Sequence, residues 1–472
     1  MASVQVVVVG GGPGGYAAAF LAADLGLNVA LVDPEANPGG VCVYRGCIPS
    51  KALLHVAKLV DESRHAKAWG IEFGEPKIDL DKLREFKNTV VRRLTSGTGQ
   101  LVKHRKINYM QGRAEIVDAH TLIVRKTAGG DDMLTFEHAI LATGSTPAMP
   151  PMLRVDDPRV MDSTGALDLP DIPRSLLVVG GGYIGLELGS VYATLGSAVT
   201  VVEMTPGLLP GADRDLVDVL ARRVNLLMKA VLLNTRVVEM KAEAKGIRVT
   251  FDGDGVKDGA KEQVFDRVLV AVGRRPNSAI PGLDRTRVVV NERGFIVVDE
   301  QMRTGEPSIF AIGDVVGEPM LAHKASHEGR TAVEVISGEN VAFEPRAIPA
   351  VVFTDPEIAW CGLTEAQAQK DGRKVTVAKF PWGASGRAIT LDRTDGITKL
   401  ILDADTERIL GVGLVGPGAG ELIAEGVLAI ELGANATDLK LSIHPHPTLT
   451  ETMMESAEVF FGQATHVYRP KR

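Results

Sequence analysis

One unit occurs twice in this chain and constrains its fold more than any other feature. It consists of a β-branched apolar run, a glycine loop, a helical pattern and a second apolar run that ends in an acid. The two loops are residues 10–15 and 180–185, and the two acids are Asp33 and Glu203. Each acid lies 18 residues after the last glycine of its loop. Both copies therefore predict a strand–helix–strand unit of a parallel sheet.

Both loops have the G-x-G-x-x-G spacing of dinucleotide-binding units. Its glycines allow a tight turn, close approach of the backbone to a pyrophosphate, and close packing of helix on strand. These glycines are Gly10, Gly12 and Gly15 in the first copy and Gly180, Gly182 and Gly185 in the second. A single loop is also compatible with an ordinary turn. Two copies, each with an acid at the distance expected of a ribose ligand, predict two dinucleotide sites.

Two dinucleotide sites in one chain indicate FAD together with NAD or NADP. Glu203, like Asp33, would accept hydrogen bonds from an adenosine ribose, and it would repel a 2′-phosphate. No arginine follows Glu203 closely, since the next residues are Met204, Thr205 and Pro206. The second site is therefore predicted to bind NAD rather than NADP.

The rest of the chain predicts a third, different domain. Residues 133–136 and 138–142 are interpreted as two short strands, and a proline-rich linker at 147–151 marks a boundary. From about residue 343, strand-like segments mix with a helical pattern at 421–432, which is typical of an α+β domain. The predicted class is therefore α/β with an α+β C-terminal part.

Composition excludes several other classes. The net charge of −7 and the absence of a long basic run argue against nucleic acid as the main partner. The longest apolar stretches, such as residues 4–9, are too short to span a membrane. Because the first strand begins within a few residues of Met1, no signal peptide fits before it, and we expect a cytoplasmic protein. A transit peptide removed before this numbering begins stays open.

Three cysteines in 472 residues do not make a disulfide scaffold. Cys361 stands in an apolar run and is interpreted as a small buried hydrophobe. Cys42 and Cys47 are five residues apart, a spacing that allows a disulfide if the backbone bends locally. Lys51, one helical turn after Cys47, would add positive charge near a thiolate or a reduced flavin. A metal half-site is the alternative, but no second cysteine pair exists and no metal is expected.

The stretch from Cys42 to Lys51 resembles the redox-active disulfide segment of the class I pyridine nucleotide–disulfide oxidoreductases. The resemblance covers essentially the whole chain, including both glycine loops and the segments 142–144, 311–314 and 444–451. It implies two Rossmann-like dinucleotide-binding domains, with the NAD domain inserted in the FAD domain, and a C-terminal dimerisation domain.

The resemblance also implies domain limits. The FAD-binding domain would consist of residues 1–148 and 274–342, and the NAD-binding domain of residues 149–273. Residues 343–472 would form the interface of a homodimer.

Roles for single residues follow from the same resemblance. Cys42 would be the outer interchange thiol, and Cys47 would lie against the flavin. His446, oriented by Glu451, would be the acid–base and would reach the cysteines of a second subunit. Taken alone, His446 also fits a hydrogen-bonded loop histidine.

Lys51 and Glu187 would pair beside the flavin, although a solvated surface pair is the usual fate of such charges. The other cofactor-binding residues that the resemblance implies are Ala114, Thr143, Gly144, Ser145, Val237, Gly273, Asp314 and Ala322.

The implied reaction is the oxidation of dihydrolipoamide carried by an acyltransferase of a 2-oxo acid dehydrogenase complex. Electrons would pass from the cysteine pair through FAD to NAD⁺. Two alternatives stay open: a reductase of another small disulfide, and a flavoprotein that serves mainly as a structural or binding subunit. Between the cysteines, Val43, Tyr44 and Arg45 stand where the family commonly has Leu, Asn and Val. We expect this change to alter the potential of the disulfide or access to it.

Overall fold

The structure is a computed structural model that describes residues 2–256 and 261–468. Its N-terminal part builds a mixed sheet in which β1 to β5 take part. The strands of this part of the chain are β1 (Ala2–Val9), β2 (Val29–Asp33), β3 (Asn108–Asp118), β4 (Thr121–Lys126), β5 (Asp131–Leu141) and β6 (Ser145–Pro147), and β6 lies outside that sheet. The helices are α1 (Pro13–Asp24), α2 (Gly40–Arg45), α3 (Cys47–His65) and α4 (Leu80–His104). Strand β1 lies parallel between β2 and β5, and Val6, Val7 and Val8 are fully buried because elements cover both faces of the sheet.

The prediction of two strands at 133–136 and 138–142 is wrong, because both segments belong to β5. This strand pairs antiparallel with β4 over its first half and parallel with β1 over most of its length. Glu137, between the two predicted segments, is exposed and does not interrupt the ladder.

The middle of the chain builds a second sheet, which is parallel. Its strands are β7 (Val160–Met161), β8 (Ser175–Val179), β9 (Ala198–Val202), β10 (Ala230–Leu232), β11 (Thr235–Glu243), β12 (Gly246–Gly253), β13 (Glu262–Phe265), β14 (Arg267–Val270) and β15 (Arg274–Pro276). Its helices are α5 (Ser163–Leu167), α6 (Tyr183–Leu195) and α7 (Arg214–Leu227). The strand order of the parallel sheet is β10-β9-β8-β14-β7. The other strands lie outside it: β11, β12 and β13 form a separate antiparallel sheet, and β15 pairs antiparallel with β6.

The C-terminal part first completes the N-terminal sheet and then forms its own. Its strands are β16 (Ile309–Ala311), β17 (Ala350–Val352), β18 (Glu357–Gly362), β19 (Val375–Pro381), β20 (Ile397–Asp403) and β21 (Ile409–Gly416). Its helices are α8 (Ala322–Ile336), α9 (Glu365–Lys370), α10 (Gly386–Thr390), α11 (Ala419–Leu432), α12 (Ala436–Leu441) and α13 (Glu451–Phe461).

Strand β16 pairs parallel with β5, so the second parallel sheet is inserted between strands of the first. The remaining strands form an antiparallel sheet in the order β17-β18-β21-β20-β19. Cys361 is buried in the core of that sheet, as the sequence predicts. Within the described ranges, none of the helices combines the length and apolar character that crossing a membrane requires.

Candidate active site

A cavity of about 850 Å³ lies at the carboxyl ends of the strands of the first sheet. Open α/β sheets bind their ligands at this edge. The wall combines the first glycine loop, the segment that carries two cysteines, and the turns after β5 and β16. The predicted site residues on this wall are Gly10, Gly12, Gly15, Asp33, Cys42, Cys47, Lys51, Ala114, Thr143, Gly144, Ser145, Glu187, Asp314 and Ala322.

The first glycine loop closes one end of this cavity. Asp33 is buried at the end of β2, where its Oδ2 accepts the Gly11 N–H at 2.6 Å and its Oδ1 accepts the Glu35 N–H at 2.9 Å. Burial raises the pKa of the Asp33 carboxyl, while the Gly11 N–H and the Arg45 charge oppose that rise. A Cβ at Gly15 would lie 1.8 Å from the Gly10 oxygen, so only glycine lets α1 approach β1 this closely.

The two cysteines form another part of the wall. Cys42 is half-buried in α2, Cys47 begins α3 and is exposed to the cavity, and both are free thiols. A hydrogen bond from the Cys42 thiol to the Cys47 sulfur, together with burial, raises the pKa of Cys42. The same hydrogen bond, against the effect of burial and with help from Lys51, lowers the pKa of Cys47 to about 7. Cys47 is therefore the member of the pair that ionises first.

An ion pair lies beside the cysteines. Lys51 Nζ donates to Glu187 Oε2 at 2.7 Å, and the Glu187 side chain is buried. The second carboxylate oxygen accepts the Phe353 N–H at 3.0 Å, and Lys51 Nζ lies 4.4 Å from the centre of the Phe353 ring. The pair is therefore not a solvated surface pair. Segments from three parts of the chain hold this ion pair in place, and one of these parts is the C-terminal unit.

The turn after β5 is tied to the end of β16. Ser145 Oγ donates to Asp314 Oδ2 at 2.5 Å. Arg274 donates from Nε to Ser145 Oγ and from Nη2 to the Ser145 carbonyl, both at 2.7 Å. Arg274 lines the cavity and is absent from the residues predicted from the sequence. Its position directly after Gly273, at the end of a parallel strand, is the signal that could have identified it.

Two further residues of the site, one on the cavity wall and one behind it, are missing from the sequence prediction. Tyr183 is the first residue of α6 and lines the cavity. Its position in the second glycine loop is the signal that could have identified it. Phe353 follows β17 and reaches Glu187 from the C-terminal unit. No local pattern predicts that contact, because 166 residues separate the two positions.

The second glycine loop lies outside this cavity and repeats the chemistry of the first. Glu203 is buried, with Oε2 accepting the Gly181 N–H at 2.7 Å and Oε1 accepting the Thr205 N–H at 2.8 Å. Gly273 lies just beyond β14, near this loop edge of the second sheet, in a left-handed conformation with φ of +123°. Val237 is buried in the core between the second sheet and the β11–β13 sheet, and Gly180, Gly182 and Gly185 lead into α6.

His446 and Glu451 also lie away from the cavity. His446 Nδ1 and Glu451 Oε1 are 2.8 Å apart, and the imidazole is 73% exposed. Burial alone would raise the pKa of Glu451, but hydrogen bonds from the Thr448 N–H and from His446 outweigh it and lower that pKa. The structure thus brings these two residues together, and it leaves the other face of the imidazole open.

One cluster of carboxylates has the spacing of a metal site. Asp213, Asp215 and Glu365 bring oxygen atoms within 4.8 Å of one another. Lys399 Nζ lies 2.6 to 2.8 Å from an oxygen of each of them. Lys379 Nζ also lies 2.7 Å from Asp215 and 3.1 Å from Glu365. Two ammonium groups, of which that of Lys399 is fully buried, therefore already offset most of the charge of this cluster, which joins α7 to the C-terminal sheet.

The cavity fits FAD. At one end, backbone N–H groups at the start of α1 and the Asp33 carboxylate suit a diphosphate and a ribose. At the other end, two thiols and the Lys51 ammonium face the same space. Asp314 and the turn at 143–145 line the same cavity. The residues that would hold the cofactor thus form one continuous wall, and its reactive end would lie at Cys47.

The chain belongs to the pyridine nucleotide-disulphide oxidoreductase family. The family model matches residues 4–329, and the model of the family's dimerisation domain matches residues 348–457. The protein is thus an oxidoreductase that uses FAD and a pyridine nucleotide. Among curated relatives, the dihydrolipoyl dehydrogenase of Haemophilus influenzae is 48% identical over 99% of this chain and 97% of its own. That of Geobacillus stearothermophilus is 44% identical over 98% and 97%.

Solved structures give the same fold. LpdA of Mycobacterium tuberculosis superposes with a TM-score of 0.89 at 27% identity, over 96% of this chain and 99% of that one. The Cu(II) complex of the HOCl-induced flavoprotein disulfide reductase RclA from Escherichia coli gives 0.86 at 30% identity, over 97% and 99%. The predicted α/β class, with one dinucleotide-binding domain inserted in another and a dimerisation domain, is confirmed.

Proposed function

We propose that this chain is a dihydrolipoyl dehydrogenase that oxidises dihydrolipoamide through Cys42 and Cys47 and reduces NAD⁺. One observation carries the proposal: two adjacent thiols, one with a pKa of about 7, lie on the wall of a cavity that a dinucleotide-binding loop closes. Full-length relatives that bear this name support it. When bound, FAD supplies the two-electron transfer between the cysteine pair and NAD⁺.

The cysteines carry the dithiol exchange in this proposal. A substrate thiolate attacks Cys42 Sγ of the Cys42–Cys47 disulfide, which breaks the S–S bond and releases Cys47 as a thiolate. The second substrate thiolate attacks the substrate sulfur of the mixed disulfide, so lipoamide forms and Cys42 is released. The pKa of about 7 makes Cys47 the better leaving group of the pair. Lys51 stabilises its negative charge.

The protons that the substrate thiols lose need an acceptor, and we assign this role to His446 of a second subunit. Its Nδ1 is oriented by Glu451, which leaves Nε2 available. A homodimer is also favoured by four large apolar side chains that are more than half exposed on or near α11 and α12: Leu428, Leu432, Leu441 and Ile443. The acyltransferase of a 2-oxo acid dehydrogenase complex is the partner that would present the substrate, in the cytoplasm.

The cofactor-binding roles are part of the same proposal. The residues that bind FAD are Gly10, Gly12, Gly15, Asp33, Lys51, Ala114, Thr143, Gly144, Ser145, Asp314 and Ala322. The second glycine loop with Glu203, Val237 and Gly273 serves NAD. Both Glu203 oxygens accept hydrogen bonds from backbone N–H groups around the loop. The three residues after Glu203 carry no positive charge. The carboxylate therefore disfavours a 2′-phosphate. The domain limits at residues 148, 273 and 342 remain our prediction.

A steady-state assay tests the reaction. Purified protein should be yellow and should reduce NAD⁺ with dihydrolipoamide. With glutathione disulfide and NADPH, the same preparation should show only a small fraction of that rate. Turnover with the glutathione pair alone would replace the proposal by a reductase of another small disulfide. No turnover with either pair would favour a structural or binding subunit.

Replacing Cys47 by Ser tests the thiol assignment. C47S should retain FAD and lose dithiol turnover, because no disulfide can form. It should also lose the thiol that alkylates with a pKa near 7. C361S is the matched control, since Cys361 is buried in another domain and should change neither measurement. A C47S protein with normal turnover would contradict the mechanism.

Replacing His446 by Gln tests the acid–base role. Loss of a positioned general base costs about 10²- to 10⁴-fold in rate, and H446Q should retain FAD because the residue lies outside the cavity. His444, which pairs with Glu425, offers a control two residues away. Unchanged turnover in H446Q would remove His446 from the mechanism.

A further inference from the structure

The segment between the two cysteines carries a cation that pairs with an acid of the turn after β2. Arg45 is the last residue of α2, and its Nη2 contacts Glu35 Oε1. The residue lines the cavity next to Asp33 and Pro34. Lys51, and not Arg45, is the cation among the largest influences on the pKa values of both thiols. An effect of Arg45 on the potential of the disulfide or on access to it stays a prediction, and its contact with Glu35 points to a second role.

At the glycine-loop end of the cavity, Arg45 contacts the Glu35 carboxylate and acts through its charge on that of Asp33. Asp33 is buried there, and Glu35 follows it two residues later. Arg45 and Arg113 are the cations that act on the Asp33 carboxyl. A dinucleotide brings a negatively charged diphosphate to a glycine loop of this kind. Without Arg45, that diphosphate would approach two acidic side chains whose charge is poorly balanced.

Tyr44 and the turn after β2 hold this arrangement in place. Tyr44 Oη donates to the Asn37 carbonyl at 2.9 Å, and the Arg45 guanidinium lies 5.8 Å from the centre of the Tyr44 ring. Tyr109 Oη donates to the Glu35 carbonyl at 2.8 Å. Both partners of the ion pair therefore extend from backbone that other side chains anchor. A cation fixed in this way loses little further freedom when a ligand binds.

We propose that Arg45 is a FAD-binding residue that neutralises Asp33 and Glu35 where the adenosine half of the cofactor binds, and that Tyr44 positions it. Two of the three departures between the cysteines, Tyr44 and Arg45, then serve one arrangement. The inference rests on the proposed function only through FAD. It does not depend on which dithiol is oxidised, so a failed dihydrolipoamide assay and a failed FAD-release assay are distinct results.

The test measures how fast diluted holoprotein releases FAD, from the fluorescence of the free flavin. Removing the charge in R45Q should speed release about tenfold, equivalent to about 1.4 kcal/mol. E35Q should release FAD no faster than the parent, because it removes an acid that the diphosphate would otherwise meet. The double variant R45Q/E35Q should release FAD within about threefold of the parent rate, since the remaining charges are again balanced.

Two further variants keep the test decisive. R45K preserves the charge and should stay close to the parent, and this comparison with R45Q holds even if bulkier changes at this position disturb folding. R92Q removes the arginine of an exposed pair with Glu85 on α4, and it should leave FAD release unchanged. The proposal is overturned if R45Q matches the parent. It is also overturned if E35Q releases FAD as fast as R45Q and the double variant releases it no more slowly than either. In that case the Arg45–Glu35 pair would be only a structural link.

Discussion

The two glycine-loop units share their local chemistry and differ in what surrounds them. Asp33 accepts the N–H of the second loop residue at 2.6 Å, and Glu203 does the same at 2.7 Å. Each acid also accepts the N–H two residues further along the chain, at 2.9 and 2.8 Å. A dinucleotide would thus meet the same donors and acceptors in both places.

The surroundings separate the two units. In the first, α8 packs on α1, Ser326 Oγ donates to the Pro13 carbonyl at 3.2 Å, and the cavity walls enclose the loop. The second loop lies outside this cavity, and Met204 next to its acid is 73% exposed. An enclosed ligand is released slowly, whereas an exposed one exchanges. The repeated motif therefore sets what is recognised, and the packing around it sets how long the ligand stays.

The largest expected effect comes from replacing the last glycine of each loop. In Gly15→Ala, the new Cβ would lie 1.8 Å from the Gly10 oxygen, inside the enclosed unit. We expect a destabilisation of about 3 kcal/mol and loss of bound FAD. In Gly185→Ala, the Cβ would lie 2.2 Å from the Gly180 oxygen. This variant should keep FAD and lose NADH binding, as measured by flavin absorbance and an NADH titration.

Gly182→Ala is the control for folding in this pair, because no atom lies within 4 Å of the added Cβ. It should match the parent in flavin content and thermal midpoint. If Gly15→Ala and Gly185→Ala lost flavin equally, enclosure would not distinguish the two units.

Replacing each acid by its amide should give a smaller effect, and each replacement should change the binding of only one cofactor. An amide oxygen can accept one of the two N–H groups, while the amide nitrogen would face the other. E203Q should weaken NADH binding about tenfold and leave FAD content unchanged. D33N should speed FAD release and leave NADH affinity unchanged. E239Q, which changes an exposed acid on β11, is the control for both titrations. An effect of E203Q on FAD would show that the two sites are coupled.

Features that depend on local spacing could be predicted from the sequence. The two units, the acids that end them and the cysteine pair all belong to this kind, as each is contained within a few dozen residues. Contacts between distant segments could not be predicted. Arg274 reaches Ser145 across 129 positions, and Phe353 reaches Glu187 across 166. The contact that Arg45 makes could not be predicted from neighbouring residues either, because it depends on how the turn at residues 34–39 folds back.

The ion pair beside the cysteines distinguishes the first unit further and predicts a shift in thiol acidity. Lys51 lowers the pKa of Cys47, which is about 7, and Glu187 raises it. K51M should therefore raise that pKa by about one unit, and E187Q should lower it by less. The thiolate fraction at neutral pH falls in K51M and rises in E187Q. The pH dependence of alkylation of the reduced protein measures both changes. Shifts of the same sign would contradict the assignment.

The smallest expected effect concerns two glycines of α4 that lie two residues apart. A Cβ at Gly97 meets no atom within 4 Å, so Gly97→Ala should raise the stability of the helix by up to about 1 kcal/mol. A Cβ at Gly99 would lie 2.0 Å from Asn37 Oδ1, in the turn whose carbonyl accepts Tyr44 Oη. Gly99→Ala should therefore displace this turn and speed FAD release modestly, while Gly97→Ala should not. Both changes lie on one helix. If the two variants have similar thermal midpoints but release FAD at different rates, the difference comes from the turn and not from the helix. Equal release would show that the anchoring of this turn does not contribute to the enclosure of the first unit.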